Sequence, residues 1–186
     1  MNLVENVDVY GLEKSIRAAK YPKSVDISAC TDKLTDGIKK LGHCDPGTGH
    51  DQFLTGIVVQ FDLSFSNKAW VEAERYHWLD FVSSQSTMHR IVKLNPEEQC
   101  NEYVDVRVIG ILEELIAEYN WNPNPDSYLR VLYNVPAGFR LTARMTTNYR
   151  QLKTIYGQRK THRLPEWREF CEWIETLPMF KELILD

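Results

Sequence analysis

Two groups of cationic and hydrogen-bonding side chains stand far apart in this 186-residue chain. In the first, Arg75-Tyr76-His77 precedes Ser83-Ser84-Gln85-Ser86-Thr87-Met88-His89-Arg90, placing guanidinium, imidazole and hydroxyl groups near Trp70, Trp78 and Phe81. In the second, Asn148-Tyr149-Arg150 is followed by Arg159 and His162. Arginine offers planar, bidentate donors to phosphate or to an amide-like base edge. Hydroxyls and backbone amides can surround an anion. Together the groups suggest a nucleotide site. From Arg140 to Pro165 there are seven Lys or Arg and no Asp or Glu, within a chain of formal net charge -4. A small anion fits that distribution better than a nucleic-acid polymer, whose binding domains are usually basic as a whole.

Each group also has an ordinary reading. Arg150 and Arg159 are nine residues apart, about two and a half helical turns, so they occupy different faces, and a solvated basic helix accounts for either one alone. Arg75, Tyr76 and His77 fall in an aromatic segment, so at least one of them sits against the core. A buried Arg there either pairs with Glu72 or Glu74 or meets a ligand. His50, at a strand entrance, reads first as a hydrogen-bonded structural residue. The Ser83–Thr87 run is either a helix-end loop that also caps the next element or an anion site with charge from His89 or Arg90. No phosphate-cradling glycine loop, HExxH, GxSxG or dinucleotide fingerprint occurs. Cys30, Cys44, Cys100 and Cys171 form no CxxC pair, which points to reduced thiols and no metal site.

The elements that must position these groups read as one soluble domain over residues 1–186, with 43% hydrophobic and 26% charged residues. The acidic start Met1–Asp8 is no secretory signal, and no window reaches membrane-spanning length, so a cytoplasmic protein is expected. Leu12–Ala19 and Cys30–Leu41 read as short helices, the second ending at Gly42, followed by a Gly/Pro loop, His43–His50. Ile57, Val59, Phe61, Leu63 and Phe65 alternate with Val58, Gln60, Asp62 and Ser64 as a strand. Asn67–Val82 reads as an aromatic helix and Val104–Tyr119 as another, with Val104, Val108, Ile111, Leu112, Leu115, Ile116 and Tyr119 on its apolar face. These two are expected to form a helical core layer. Asn120–Asp126 reads as an irregular loop. A strand over Phe139–Thr147 has a cationic face, Arg140 and Arg144. Asn148 then caps a helix through Arg159, and Pro165 opens a last helix with Trp167, Phe170, Cys171, Ile174 and Leu177 at helical spacing. The class is α+β, a mixed sheet with a packed helical layer.

From His50 to Trp167 the chain resembles the flavin-dependent thymidylate synthases. Their signature is Arg-His-Arg, then Ser-x-Arg after a short gap. Arg75-Tyr76-His77 takes the first part, and Thr87-x-His89 or the shifted Met88-x-Arg90 the second. His50 and Thr55 fall where members carry a histidine and a glutamate, Asn148-x-Arg150 with the later Arg159 keeps the family's spacing, and Trp167 matches a recurrent Gln-Trp. The resemblance implies reductive methylation of dUMP with FAD, NADPH and methylenetetrahydrofolate, in a homotetramer whose sites lie between subunits. By the same resemblance, His50, Thr55, Arg75, His77, Asn148, Arg150 and His162 belong to the flavin site. Ser86, Thr87 and Arg90 serve the nucleotide phosphate, Arg130 and Arg159 hold the pyrimidine nucleotide, and Arg159 is the residue expected to act in catalysis.

Overall fold

A computed structural model describes residues 2–45 and 47–185; Met1 of the acidic start, Pro46 of the Gly/Pro loop and Asp186 lie outside the described residues. In chain order the elements begin with β1 (Val4–Tyr10), α1 (Leu12–Ala18), α2 (Asp36–Gly42), β2 (Val58–Ser66), α3 (Asn67–Ala73) and β3 (Asp80–Ser84). The short α4 (Thr87–Arg90) and α5 (Pro96–Gln99) lead to α6 (Val106–Trp121) and α7 (Pro125–Tyr133), then β4 (Arg140–Asn148), α8 (Tyr149–Arg159) and α9 (Pro165–Ile174). The α+β class holds. Where a mixed sheet was expected, all pairings are antiparallel, in the order β1-β2-β4-β3.

The central pair, β2 and β4, runs in unbroken register from Val58 opposite Asn148 to Ser66 opposite Arg140. Its inward face is the one the alternation predicts: Val59, Phe61, Leu63, Phe65 and Met145 are fully buried. α9 lies across that face. Its Trp167, Phe170, Cys171 and Ile174 are buried, with Phe61 4.7 Å from Trp173 and Phe65 edge-on to Trp167 at 4.9 Å, ring centre to ring centre. Aromatic pairs in this range add to the apolar area they bury. On the other face Arg144 reaches Asp8 at 2.7 Å and Asp62 at 3.5 Å.

Several segments differ from expectation. The helix from Asn67 stops at Ala73, and Asp80–Ser84 instead pairs with β4, whose second edge would otherwise lack partners; tertiary pairing overrides local propensity here. β1 escapes the period-two pattern because a bulge between Glu5 and Asp8 breaks it. Cys30–Thr35, expected as the start of the second helix, is not helical: Lys20 Nζ donates to the carbonyls of Thr31 and Lys33, both at 2.7 Å, and holds that stretch open. The supposed loop Asn120–Asp126 contains the start of α7, where Asn124 and Ser127 form a reciprocal capping box with Pro125 in the first turn. α6 buries only Leu112 and Leu115, while Val108 and Ile111 are exposed. It packs with α7 on a second, smaller core containing Ile91, Val131 and Phe139, so the helical layer on the main core is α3, α8 and α9.

Candidate functional site

β4 delivers its chain directly into α8, and Asn148 makes the turn. Its extended backbone and a side chain accepting the Gln151 N–H at 2.9 Å form an N-cap. The first turn of α8 borders a cavity of about 500 Å³ that also meets Thr55, Gln52, Trp78 and Thr154. Beneath it lies Asp51, 2% exposed. Lys153 Nζ is 3.0 Å from Asp51 Oδ2 and also donates to the carbonyls of Gly42 and Cys44 at 2.8 and 2.6 Å, so its three donors are used. Arg150 Nε lies 3.0 Å from Asp51 Oδ1. That distance gives charge pairing, but the N–H is not aimed at the oxygen, and Oδ1 receives no hydrogen bond. Arg150 Nη1 donates to Gln52 Oε1 at 2.8 Å.

The consequence is a division of labour. Asp51 with two cations satisfies the requirement that a buried charge be paired. Lys153, fully engaged, ties α8 to the end of α2. Arg150 is held from one side yet keeps Nη2 without a partner among the described residues, and its side chain is 32% exposed. A guanidinium hydrogen-bonded at one nitrogen, charge-paired at a second and open at the third is suited to an anion or a heteroaromatic edge. Thr55 Oγ1 donates to the Gln52 carbonyl at 2.7 Å, which steadies the same wall.

The far end of α8 is built differently. Arg159 Nε donates to Tyr76 Oη at 2.7 Å and Nη1 to Glu72 Oε2 at 2.9 Å, with His162 Nε2 2.7 Å from Nη1. Its guanidinium carbon lies 4.8 Å from the centre of the Trp167 ring and 5.4 Å from that of Tyr76. Tyr76 Oη in turn donates to Gln158 Oε1 at 2.9 Å. Burial, and then the neighbouring Arg159 charge, hold the His162 pKa below its ordinary value, favouring a neutral ring.

Of the residues expected at the site, Thr55, Asn148 and Arg150 line this cavity. Arg159 and His162 belong to the network at the other end of α8. Arg75 and His77 are exposed in the turn between α3 and β3, and Tyr76 is the member of that triplet that packs inward; Glu72 pairs with Arg159 rather than with Arg75. His50 is exposed on a second, larger cavity of about 930 Å³ beside Lys20, Cys30 and Phe53. Ser86 stands at the N-cap position of α4 without a side-chain capping bond, Thr87 begins the helix and Arg90 ends it in solvent. Arg130 forms an exposed ion pair with Glu118 of α6. Sequence reasoning missed Asp51, Gln52 and Lys153. Lys153 was visible only as one of seven cations, and nothing local marks Asp51 as buried. Among the described residues, no group of three or more His, Cys, Asp or Glu is gathered as a metal site.

No family model matches the chain. No curated protein matches it in sequence. Solved structures do. A structure of the flavin-dependent thymidylate synthase ThyX from Helicobacter pylori, complexed with FAD and dUMP, superposes with a TM-score of 0.73 at 17% identity, covering 98% of this chain and 99% of that one. A second ThyX structure from the same organism, with FAD and dUMP, gives 0.73 at 20% identity, covering 98% of each chain. At such identity the likeness establishes a shared fold, the one the resemblance in the sequence led us to expect.

Proposed function

We propose that this chain is a divergent flavin-dependent thymidylate synthase-like protein that binds FAD and dUMP and serves the reductive methylation of dUMP, with methylenetetrahydrofolate as one-carbon donor and NADPH as reductant. The observation that carries the reading is the match along nearly the whole chain to two solved structures that hold FAD and dUMP. The cavity at the start of α8 supports it. Its volume lies in the range of small-molecule sites, and helix-start N–H groups together with Arg150 suit a phosphate. Thr55, Asn148 and Arg150 would hold the flavin, helped by Gln52 and Gln151. A bound flavin supplies the hydride and one-carbon chemistry; the chain's own part is to bind, orient and offer positive charge.

A homotetramer belongs to the proposal. Ser86, Thr87, Arg90, Arg130, Arg75 and His77 are spread over the surface of one subunit, and a site between subunits is the arrangement in which such residues reach a shared ligand. Exposed Phe81 and Val82 on the edge strand β3 are suited to contact with another copy. A cytoplasmic location goes with the same reading; no helix among the described residues is long and apolar enough to cross a membrane.

A second reading, a relative that binds a nucleotide without flavin chemistry or modifies another pyrimidine nucleotide, is favoured by the exposure of Arg75 and His77 and by the internal partners of Arg159. The test is direct: absorbance of the purified protein in the flavin bands, calorimetry with FAD and dUMP, and NADPH-dependent formation of dTMP. Binding of dUMP with no FAD uptake selects the second reading; binding of neither overturns both.

A further inference from the structure

We propose that Trp78 is a stacking platform for a flat heteroaromatic ring bound in the cavity at the start of α8, an inference that rests on the proposed function and names how that cavity grips its ligand. Trp78 has a φ of +68°, a left-handed backbone that a bulky L-residue adopts only when its surroundings impose it. The surroundings do. On one side Tyr76 is anchored by Gln158 and Arg159; on the other Leu79 is 4% exposed in the core and Asp80 enters β3. The turn is therefore held in a shape that costs free energy.

That cost is not recovered by packing. Trp167 and Trp70 are 0% and 9% exposed, whereas Trp78 is 67% exposed. Its indole makes no ring contact or hydrogen bond among the described residues. It nevertheless lines the same cavity as Thr55, Asn148 and Arg150. An unpacked indole on a strained turn, facing a cavity that offers a helix start and an open guanidinium, has the parts needed for a ring carrying a phosphate: a π face for the ring and charge for the phosphate. Strain of this kind concentrates where a ligand is held. The ring is the isoalloxazine or the adenine of FAD, and the experiment separates them.

The variants are Trp78→Gly, which removes the ring and relieves the positive φ, Trp78→Asn, which also tolerates that conformation, and Trp78→Phe, which keeps a ring. Calorimetry with FAD, FMN, ADP, dUMP and ribose 5-phosphate reads binding, and urea unfolding reads the fold. The proposal expects FAD affinity to fall about tenfold or more in Trp78→Gly and Trp78→Asn, the size of a stacking contact, and to fall less than about threefold in Trp78→Phe. Urea midpoints for the Gly variant should be equal or higher, and ribose 5-phosphate, having no aromatic ring, should not distinguish the proteins. A matching loss for FMN assigns the isoalloxazine, and one for ADP the adenine. Wild-type affinity for FAD in both ring-less variants overturns the inference while leaving the proposed function standing. A wild-type protein that binds none of the ring-bearing probes overturns the proposed function and the inference with it.

Discussion

The two ends of α8 hold an arginine each, and they have opposite fates. Arg150, in the first turn, is gripped by Asp51 and Gln52 and keeps one nitrogen open beside a cavity. Arg159, in the last turn, is enclosed by Glu72, Tyr76, His162 and Trp167. Both belong to the same acid-free stretch, so local charge density does not distinguish them. What does is how far the fold encloses the guanidinium: Arg159 is 11% exposed against two rings, with two nitrogens hydrogen-bonded, whereas Arg150 is 32% exposed with one. A cation left half-open at a cavity wall is available to a ligand, and one enclosed by carboxylate, imidazole and rings acts first as a structural tie.

The largest effect is expected at the closed end. Arg159→Ala takes from Glu72 its nearest cation, leaving it Lys68 at 3.4 Å, and removes the partner of His162, at a place where the Arg159 side chain is 11% exposed. Breaking such a pair costs on the order of 3 kcal/mol, and the thermal midpoint should fall by about 10 °C, while FAD affinity at low temperature stays near wild type. Calorimetric scans with FAD and dUMP titrations check this; unchanged stability together with lost dUMP affinity would move the nucleotide to this end of the helix.

Asp51→Asn sharpens the comparison from the open end. It leaves Arg150 and Lys153 facing a neutral amide and should cost about 2 kcal/mol in urea unfolding. It should also weaken FAD binding, because Arg150 loses its anchor. Stability lost with affinity intact would show that Arg150 does not depend on that anchor.

Arg150→Ala is expected to do the reverse of Arg159→Ala. With the side chain 32% exposed, its stability effect should stay below about 1 kcal/mol. Loss of a charge-assisted contact should lower FAD affinity roughly tenfold or more. Equal FAD affinity in wild type and variant removes Arg150 from the site.

The smallest effect concerns pH. The folded state holds the His162 pKa below the ordinary 6.5, chiefly through burial and then through the Arg159 charge, so the unfolded chain takes up the proton more readily. Stability is therefore complete above about pH 6.5 and declines as pH falls from there, until the folded histidine also protonates. His162→Gln should flatten the slope of urea stability between about pH 7 and pH 5; an unaltered slope would assign that acid sensitivity to other groups.

Elements whose information is local were legible in the chain. β2 and β4 follow from period-two alternation, α9 from helical spacing after Pro165, and the start of α8 from a residue type suited to capping. Thr55, Asn148 and Arg150, named through the resemblance to a family pattern, line one cavity together. β1 and β3 were not. Each is an outer strand whose register shifts, between Glu5 and Asp8 and between Phe81 and Ser83, and a shifted register erases the alternation by which a strand is recognised.

The sequence alone thus determined which segments alternate, which residues cap, and that positive charge is concentrated between Arg140 and Pro165. Which of those charges are spent was decided by tertiary structure. Asp51 meets Lys153 across 102 positions of chain, Gln52 meets Arg150 across 98, and Glu72 meets Arg159 across 87. The reason is physical: period and capping arise from neighbours within a few residues, whereas the state of a guanidinium depends on carboxylates and rings that only the packing of α8 against the sheet, the residues around Asp51 and α3 brings within hydrogen-bonding reach.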